Sequence, residues 1–151
     1  MVERRVRIAE IGGSSPPGST MNSRSLGNIG EKIAIKYLRK KGYKILDKNY
    51  VSKFTTGPQR GEIDIITRKD NVISFIEVKA SRVVRNNPAV LENFLPEDRV
   101  DFSKQKKIIR AAESWLIEKK IPLNSKWQID VISMIVDTKT KKARIKYFQN
   151  V

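Results

Sequence analysis

Cysteine and histidine are both absent from this chain of 151 residues. Disulfide scaffolds, thiolate zinc sites and cysteine nucleophiles are therefore excluded, and so are catalytic triads and nucleases that depend on histidine. Any hydrolytic chemistry would have to use carboxylates, a hard metal ion and lysine. The sequence also lacks a secretory signal and an apolar run long enough to span a membrane, so we expect a cytoplasmic protein.

Acidic residues are scarce relative to basic ones. The chain has 31 lysines and arginines against 16 aspartates and glutamates, which gives a formal net charge of +15. Such an excess predicts attraction to a polyanion, and nucleic acid is the first candidate. No segment has the strongly amphipathic, aromatic-rich pattern of a membrane-surface helix, so we expect no membrane partner. A basic domain without a specific polyanionic partner remains the alternative.

The length fits one domain, which we place at residues 24–151. Residues 1–23 differ in composition: three arginines precede a segment rich in glycine, serine and proline. This composition predicts a flexible basic tail. Either Met21 is the true start of the protein or the tail is a basic arm, and both interpretations fit the sequence.

Residues 60–81 predict a β-hairpin. Two runs rich in β-branched residues, 63–67 and 72–78, flank a turn at Asp70 and Asn71. These two residue types tolerate the left-handed backbone that tight hairpin turns need. The turn then fixes which residues of the two strands are opposed.

That register places four charged side chains on one face of the hairpin, namely Glu62, Asp64, Glu77 and Lys79. Their apolar neighbours would point to the other face: Ile63, Ile65, Ile76 and Val78. Two directly opposed carboxylates, Asp64 and Glu77, destabilise a sheet unless a cation lies between them. The pattern therefore predicts a Mg²⁺ or Mn²⁺ site with Lys79 beside it. An acidic, solvated face is the alternative, and a turn one residue longer would separate the two acids.

An acidic residue also interrupts the apolar stripe of the first predicted helix, residues 27–41. Glu31 projects into the apolar arc of this helix, which we expect Gly42 to end. A carboxylate that faces the core near a helix start is either satisfied by backbone donors or is a ligand. Both interpretations stay open on the sequence alone.

Basic residues concentrate at the start of a second helix, residues 103–120, with Ser103 as the expected N-cap and Pro122 beyond its end. They are Lys104, Lys106, Lys107 and Arg110. Cations at a helix start oppose the helix dipole, which indicates selection for phosphate contact rather than for stability. The long segment 81–100 before this helix carries Arg82, Arg85 and Arg99, and is either a substrate-contacting loop or a surface excursion.

Strands over residues 43–53, 127–136 and 143–148 complete the predicted elements. Their order is helix, three strands, helix, strand and a further short strand. This order predicts an α/β fold with a mixed central sheet and flanking helices.

Five short motifs occur in one order along this sequence. They are Gly30-Glu31, Gly-Glu-Ile-Asp-Ile-Ile at 61–66, Phe-Ile-Glu-Val-Lys at 75–79, Ala111-Ala112 with Trp115-Leu116, and Ile-Asp-Val-Ile at 129–132. Together they resemble the YraN family, a group of small bacterial proteins placed in the PD-(D/E)XK, or restriction-endonuclease-like, superfamily and similar to archaeal Holliday junction resolvases. The resemblance covers the chain from Arg24 to about Phe148.

The resemblance implies a restriction-endonuclease-like fold and a metal-dependent endonuclease that hydrolyses phosphodiester bonds in DNA, including branched DNA. Asp64 and Glu77 would hold Mg²⁺, Lys79 would act on the attacking water, and Glu31 would be an additional acidic ligand. Junction resolvases act as dimers, so a homodimer stays open, although the sequence shows no self-complementary face.

The chain departs from the family at two positions. The family usually has an arginine two residues after its lysine, where this chain has Ser81, and often an arginine at the position of Gln128. Both departures concern phosphate positioning rather than metal binding. Two alternatives are a non-catalytic nucleic-acid-binding module that retains the nuclease fold and a partner for an acidic protein surface.

Overall fold

The computed structural model describes residues 2–7, 22–82 and 101–151. Its elements in chain order are β1 (Val2–Arg7), α1 (Ser23–Lys40), β2 (Lys44–Val51), a short 3₁₀ turn (Gly57–Gln59), β3 (Glu62–Lys69), β4 (Val72–Arg82), α2 (Phe102–Glu118), β5 (Trp127–Asp137) and β6 (Lys142–Phe148). The strands form one six-stranded sheet in the order β1-β6-β5-β4-β3-β2. Within the described residues β4 and β5 run parallel, and the other neighbouring strands of this sheet are antiparallel. The predicted mixed α/β architecture is confirmed, and it is compatible with a restriction-endonuclease-like fold.

The two helices pack on opposite faces of the sheet. Side chains alternate faces along β4, so Ile76 packs in the cluster that contains α1 whereas Phe75 packs in the cluster that contains α2. The parallel connection from β4 to β5 runs through α2, which is the usual way to join parallel neighbours. No helix in the described ranges is long and apolar enough to cross a membrane.

The β3–β4 hairpin has the predicted turn. Asp70 and Asn71 have φ angles of 50° and 62°, the left-handed backbone that a two-residue I′ turn requires. The strands pair from Lys69 with Val72 to Ile65 with Ile76, which is the predicted register.

The hairpin ladder ends one pair before Asp64 and Glu77, and this differs from the expectation. The Asp64 carboxylate instead accepts a hydrogen bond of 2.7 Å from the backbone N–H of Val78. On the other side of β3, Asn49 of β2 has a φ of 51°, and the pairing passes from Lys48–Ile65 to Tyr50–Ile63 around it. β3 therefore separates from β4 at Asp64.

This separation also makes one predicted orientation wrong. Ile63 packs with Phe75 in the cluster under α2, whereas Ile65, two residues later, packs under α1. Strict alternation predicts both isoleucines on one face. The distortion of the strand at Asp64 breaks the alternation because regular pairing with β4 has stopped there.

Three further expectations are corrected. Residues Val2–Arg7, predicted as part of a flexible tail, form the edge strand β1, which pairs with β6 from Val2–Tyr147 to Arg7–Lys142.

The N-cap of α2 is Asp101 rather than Ser103, because the Asp101 carboxylate accepts the N–H of Lys104 at 2.8 Å. The helix ends at Glu118, two residues earlier than predicted. The cap at Gly42, with a φ of 86°, is as expected.

Candidate active site

An open cleft of about 520 Å³ lies where α1, the start of α2 and the separating strands β3 and β4 meet. Its charged lining consists of Glu31, Arg60, Glu62, Asp64, Glu77, Asp101, Lys104 and Lys107. Acidic groups thus line the site with basic groups from α2 beside them. This composition suits a cation and a phosphate in the same place.

Two glycines let the helices approach the sheet closely enough to form this cleft. A Cβ atom on Gly61 would lie 2.2 Å from the backbone oxygen of Lys107, so only glycine lets α2 dock here. A Cβ atom on Gly30 would lie 2.7 Å from the Cβ of Ala80, so α1 needs glycine at this crossing. Each glycine directly precedes an acidic residue of the cleft, Glu31 or Glu62.

Among the acids of the cleft, Asp64 has the most strongly shifted pKa. Burial, together with the negative charges of Glu77 and Glu31, raises the pKa of Asp64 from 3.8 to about 7. The hydrogen bond from Val78 and the nearby Lys104 lower the pKa but do not offset the other effects. The cleft therefore contains more negative charge than its own cations neutralise.

Glu31 belongs to the same electrostatic group. It is half-buried, and this burial raises its pKa, with the charge of Glu77 acting in the same direction. A hydrogen bond from Asn49 lowers the pKa of Glu31. The left-handed residue of β2 thus holds the carboxylate of α1 in the cleft. Sequence reasoning missed Asn49, and its only local signal is that asparagine tolerates positive φ.

Glu77 is the most buried of the three acids, with 9% of its side chain exposed. The ammonium of Lys104 donates a hydrogen bond to the Oε1 atom of Glu77. Burial lowers the pKa of Lys104, but the hydrogen bond to Glu77 and the negative charges of Glu77, Asp64 and Asp101 together raise it overall. Lys104 of α2 is thus in contact with a carboxylate of the cleft.

The donor set fits a hard divalent cation by its chemistry. Mg²⁺ and Mn²⁺ prefer carboxylate oxygens, and the raised pKa of Asp64 indicates a deficit of positive charge in the cleft. Within residues 2–7, 22–82 and 101–151, however, no three acidic side chains are close enough to form a ready-made ligand group. A cation would therefore have to draw the carboxylates together.

Lys79 and Arg82 lie on β4 beyond Glu77, outside the set of residues that lines the cleft. Both are half-buried, and Lys79 is paired with Ser133 across the β4–β5 ladder. Alternation along β4 places Lys79 on the same face as Glu77, as predicted. Arg85 and Arg99 lie outside the described residues.

The basic residues of α2 divide into two groups. Lys104 and Lys107 line the cleft. Lys106 and Arg110 are exposed on the outer side of the helix, where the ammonium of Lys106 lies 4.6 Å from the ring centroid of Phe102. Arg60, which the sequence did not single out, adds a cation from the segment before β3, and its Nε donates to the Ser52 carbonyl at 3.1 Å.

Asp130, the acid of the motif on β5, lies on the α1 face of the sheet and has a structural role. It is fully buried and accepts hydrogen bonds from the Gln128 amide at 2.9 Å, the Tyr147 hydroxyl at 2.5 Å and the Asn150 N–H at 2.8 Å. Gln128, which replaces the arginine that the family often has, is therefore a donor to this carboxylate. Burial and the neighbouring Asp130 raise the pKa of Tyr147.

Fold and site together define an α/β protein with a mixed sheet and a cleft lined by carboxylates and by basic side chains. The chain belongs to the uncharacterised protein family UPF0102, whose model matches residues 30–134. This result confirms the YraN-type resemblance at the level of the family. The matched range includes Glu31, Asp64, Glu77 and Lys104.

Three relatives illustrate the match. The UPF0102 protein TTE1452 of Caldanaerobacter subterraneus is 44% identical over 97 residues, which cover 64% of this chain and 68% of the relative. A UPF0102 protein of Fervidobacterium nodosum is 40% identical over 124 residues, covering 82% of this chain and 78% of the relative. The UPF0102 protein CD630_12710 of Clostridioides difficile is 38% identical over 130 residues, covering 86% and 98%.

Proposed function

We propose that this chain is a metal-dependent endonuclease that hydrolyses phosphodiester bonds in DNA, including branched or otherwise structured DNA. One observation carries the proposal: carboxylates from three separate elements, Glu31, Asp64 and Glu77, influence one another in a single cleft that two lysines and an arginine also line. A net charge of +15 supports a polyanionic substrate.

In this proposal Asp64, Glu77 and Glu31 hold Mg²⁺ or Mn²⁺. When bound, the ion would supply positive charge to the scissile phosphate and lower the pKa of a bound water. The protein contributes a partly desolvated cleft in which charges interact strongly, as the raised pKa values of Asp64 and Glu31 indicate.

The basic residues position the substrate. Lys104, Lys107 and Arg60 line the cleft and would bind phosphates of the backbone without reading sequence. Lys106 and Arg110, exposed on the outer side of α2, would extend this phosphate track, and Arg82 and Arg85 are proposed contacts at the end of β4 and beyond it. Lys79, on the same face of β4 as Glu77, is proposed to orient or deprotonate the attacking water.

A cleavage screen tests the proposal. Linear duplex, flap, four-way junction and RNA substrates are incubated with Mg²⁺ or Mn²⁺ and the parent protein, Asp64→Asn or Lys79→Ala. We expect cleavage of at least one DNA substrate by the parent and loss of about 100-fold or more in either variant, with nearly unchanged DNA binding.

Glu113→Gln is the matched control, because it removes one exposed carboxylate on the outer side of α2. It should cleave at the parental rate. Equal cleavage by the parent and both site variants would refute the assignment, since the activity would then arise elsewhere.

A second candidate, a non-catalytic nucleic-acid-binding module, is favoured by a specific observation. The ammonium of Lys104 already contacts Glu77, and no three acids of the described residues form a ready-made metal group. Such a module would bind DNA with a steep salt dependence that is indifferent to metal ions. Calorimetric titration of Mn²⁺ distinguishes the two, because only the nuclease requires a stoichiometric ion.

A further inference from the structure

Lys104 combines three features in one side chain. Its ammonium donates to the buried carboxylate of Glu77, and its charge also acts on Asp64. About half of its side chain, 48%, remains exposed, whereas only 9% of the Glu77 side chain does. A partly exposed cation therefore covers a buried anion.

The environment of Glu77 requires a cation in the absence of metal. A buried carboxylate that lacks a charged partner is strongly unfavourable, and here the neighbouring acids Asp64 and Glu31 add repulsion. Lys104 supplies the missing positive charge from the first turn of α2. Its position there is maintained by the close docking of α2 over Gly61.

A divalent ion and the ammonium would compete for the same oxygen. Binding of Mg²⁺ or Mn²⁺ to Glu77 requires either that Lys104 leave the carboxylate or that two positive centres share it, and the second arrangement is repulsive. Lysine has a flexible four-carbon side chain and lacks the rigid planar group of arginine. Its ammonium can therefore move into the open cleft more easily than two cations can share the carboxylate.

We propose that Lys104 is an internal counter-ion that exchanges with the metal: it neutralises Glu77 in the metal-free protein and is released into the cleft when a divalent cation binds. This inference rests on the proposed metal site. The released ammonium stays beside Lys107, in the part of the cleft assigned to phosphate. Metal binding would thus add one phosphate-binding cation to the site.

The test measures Mn²⁺ affinity by calorimetry in Lys104→Met, a neutral side chain of similar length. We expect Mn²⁺ to bind about tenfold more tightly than in the parent, because the competing charge is gone. Lys119→Met is the control, since it removes an exposed positive charge at the opposite end of α2, and its effect on Mn²⁺ affinity should be less than about threefold. Lys104→Arg keeps the charge and should keep the weaker affinity.

A second readout does not use metal. In EDTA, Lys104→Met should lower the melting temperature, and Glu77→Gln should recover most of that loss in the double variant because no buried carboxylate is left unpaired. Parental or weaker Mn²⁺ affinity in Lys104→Met would overturn the exchange while leaving the metal site intact. Failure of the parent and of Lys104→Met to bind Mn²⁺ at millimolar concentration would overturn both the exchange and the proposed nuclease. Additive melting-temperature changes in the cycle would also overturn the counter-ion role.

Discussion

Replacing Asp64 with asparagine should stabilise the metal-free protein at neutral and alkaline pH. The carboxylate is mostly buried, it lies near two other acids, and its pKa is raised from 3.8 to about 7. The folded state therefore holds a proton on Asp64 that the unfolded chain has already released. Ionised Asp64 opposes folding above pH 7, and this unfavourable contribution disappears as the pH falls below about 4.

The magnitude follows from the pKa. At 1.36 kcal/mol for each pKa unit, the change from 3.8 to about 7 gives an upper limit of about 4 kcal/mol at pH 8. The open cleft admits water that screens these charges, so we expect a gain of about 1–3 kcal/mol. The asparagine side chain can still accept the hydrogen bond from Val78, so the strand geometry has no reason to change.

Urea unfolding at several pH values from 4 to 8, with EDTA present, measures this effect. The difference in the free energy of unfolding between Asp64→Asn and the parent should be near zero at pH 4 and should grow until pH 7–8. Glu113→Gln, on the exposed face of α2, should show no such trend. A difference that stays constant with pH, or a variant less stable than the parent at pH 8, would refute the electrostatic account of the cleft.

Two further predictions concern the packing around the site and the buried aspartate of β5. Gly61→Ala should destabilise the protein by about 2–4 kcal/mol in urea unfolding and weaken DNA binding, because the new Cβ would lie 2.2 Å from the Lys107 carbonyl oxygen. The control Gly27→Ala has open space around the new methyl group and should be neutral or slightly stabilising. Equal effects of the two substitutions would contradict the close-approach role of Gly61. Tyr147→Phe should lower the free energy of unfolding by about 1.5–3 kcal/mol, because the fully buried Asp130 loses one of its hydrogen-bond donors. An unchanged melting temperature would contradict this prediction and show that the remaining donors satisfy the carboxylate.

Local chemistry explains why most of the fold could be predicted. The Asp70-Asn71 turn adopts left-handed φ angles that these residue types tolerate, and it fixes the register from Lys69–Val72 onward.

Strand β1 could not be predicted in this way. Its partner β6 lies at the other end of the chain, and the composition that follows it favours a flexible tail. At the start of α2, Asp101 and Ser103 are both good N-cap types, and the structure selects Asp101 because its carboxylate reaches the Lys104 N–H.

The sequence predicted which acids line the cleft but not which lysine contacts them. Opposed carboxylates on a hairpin are visible in the sequence, and Asp64, Glu77 and Glu31 do line one cleft. The contact of Lys104 with Glu77 depends on how α2 docks on the sheet, which no local pattern determines. The sequence therefore indicated Lys104 as a phosphate contact only, and the role of Lys79 stays a prediction.

The cleft arises from close packing between elements, and its charges are unfavourable for stability. Gly30 and Gly61 bring two helices against the sheet, and each is followed by an acid of the cleft, so two close contacts of the fold lie beside acidic residues. Burial that raises the pKa of Asp64 and lysines at a helix start both oppose folding. A fold selected for stability alone would replace these charged groups with apolar ones, because well-packed apolar residues stabilise such positions as well or better. Their presence at one point, on helix α1, the β3–β4 hairpin and helix α2, is the arrangement that the proposed function requires, with a divalent cation and a phosphate bound together.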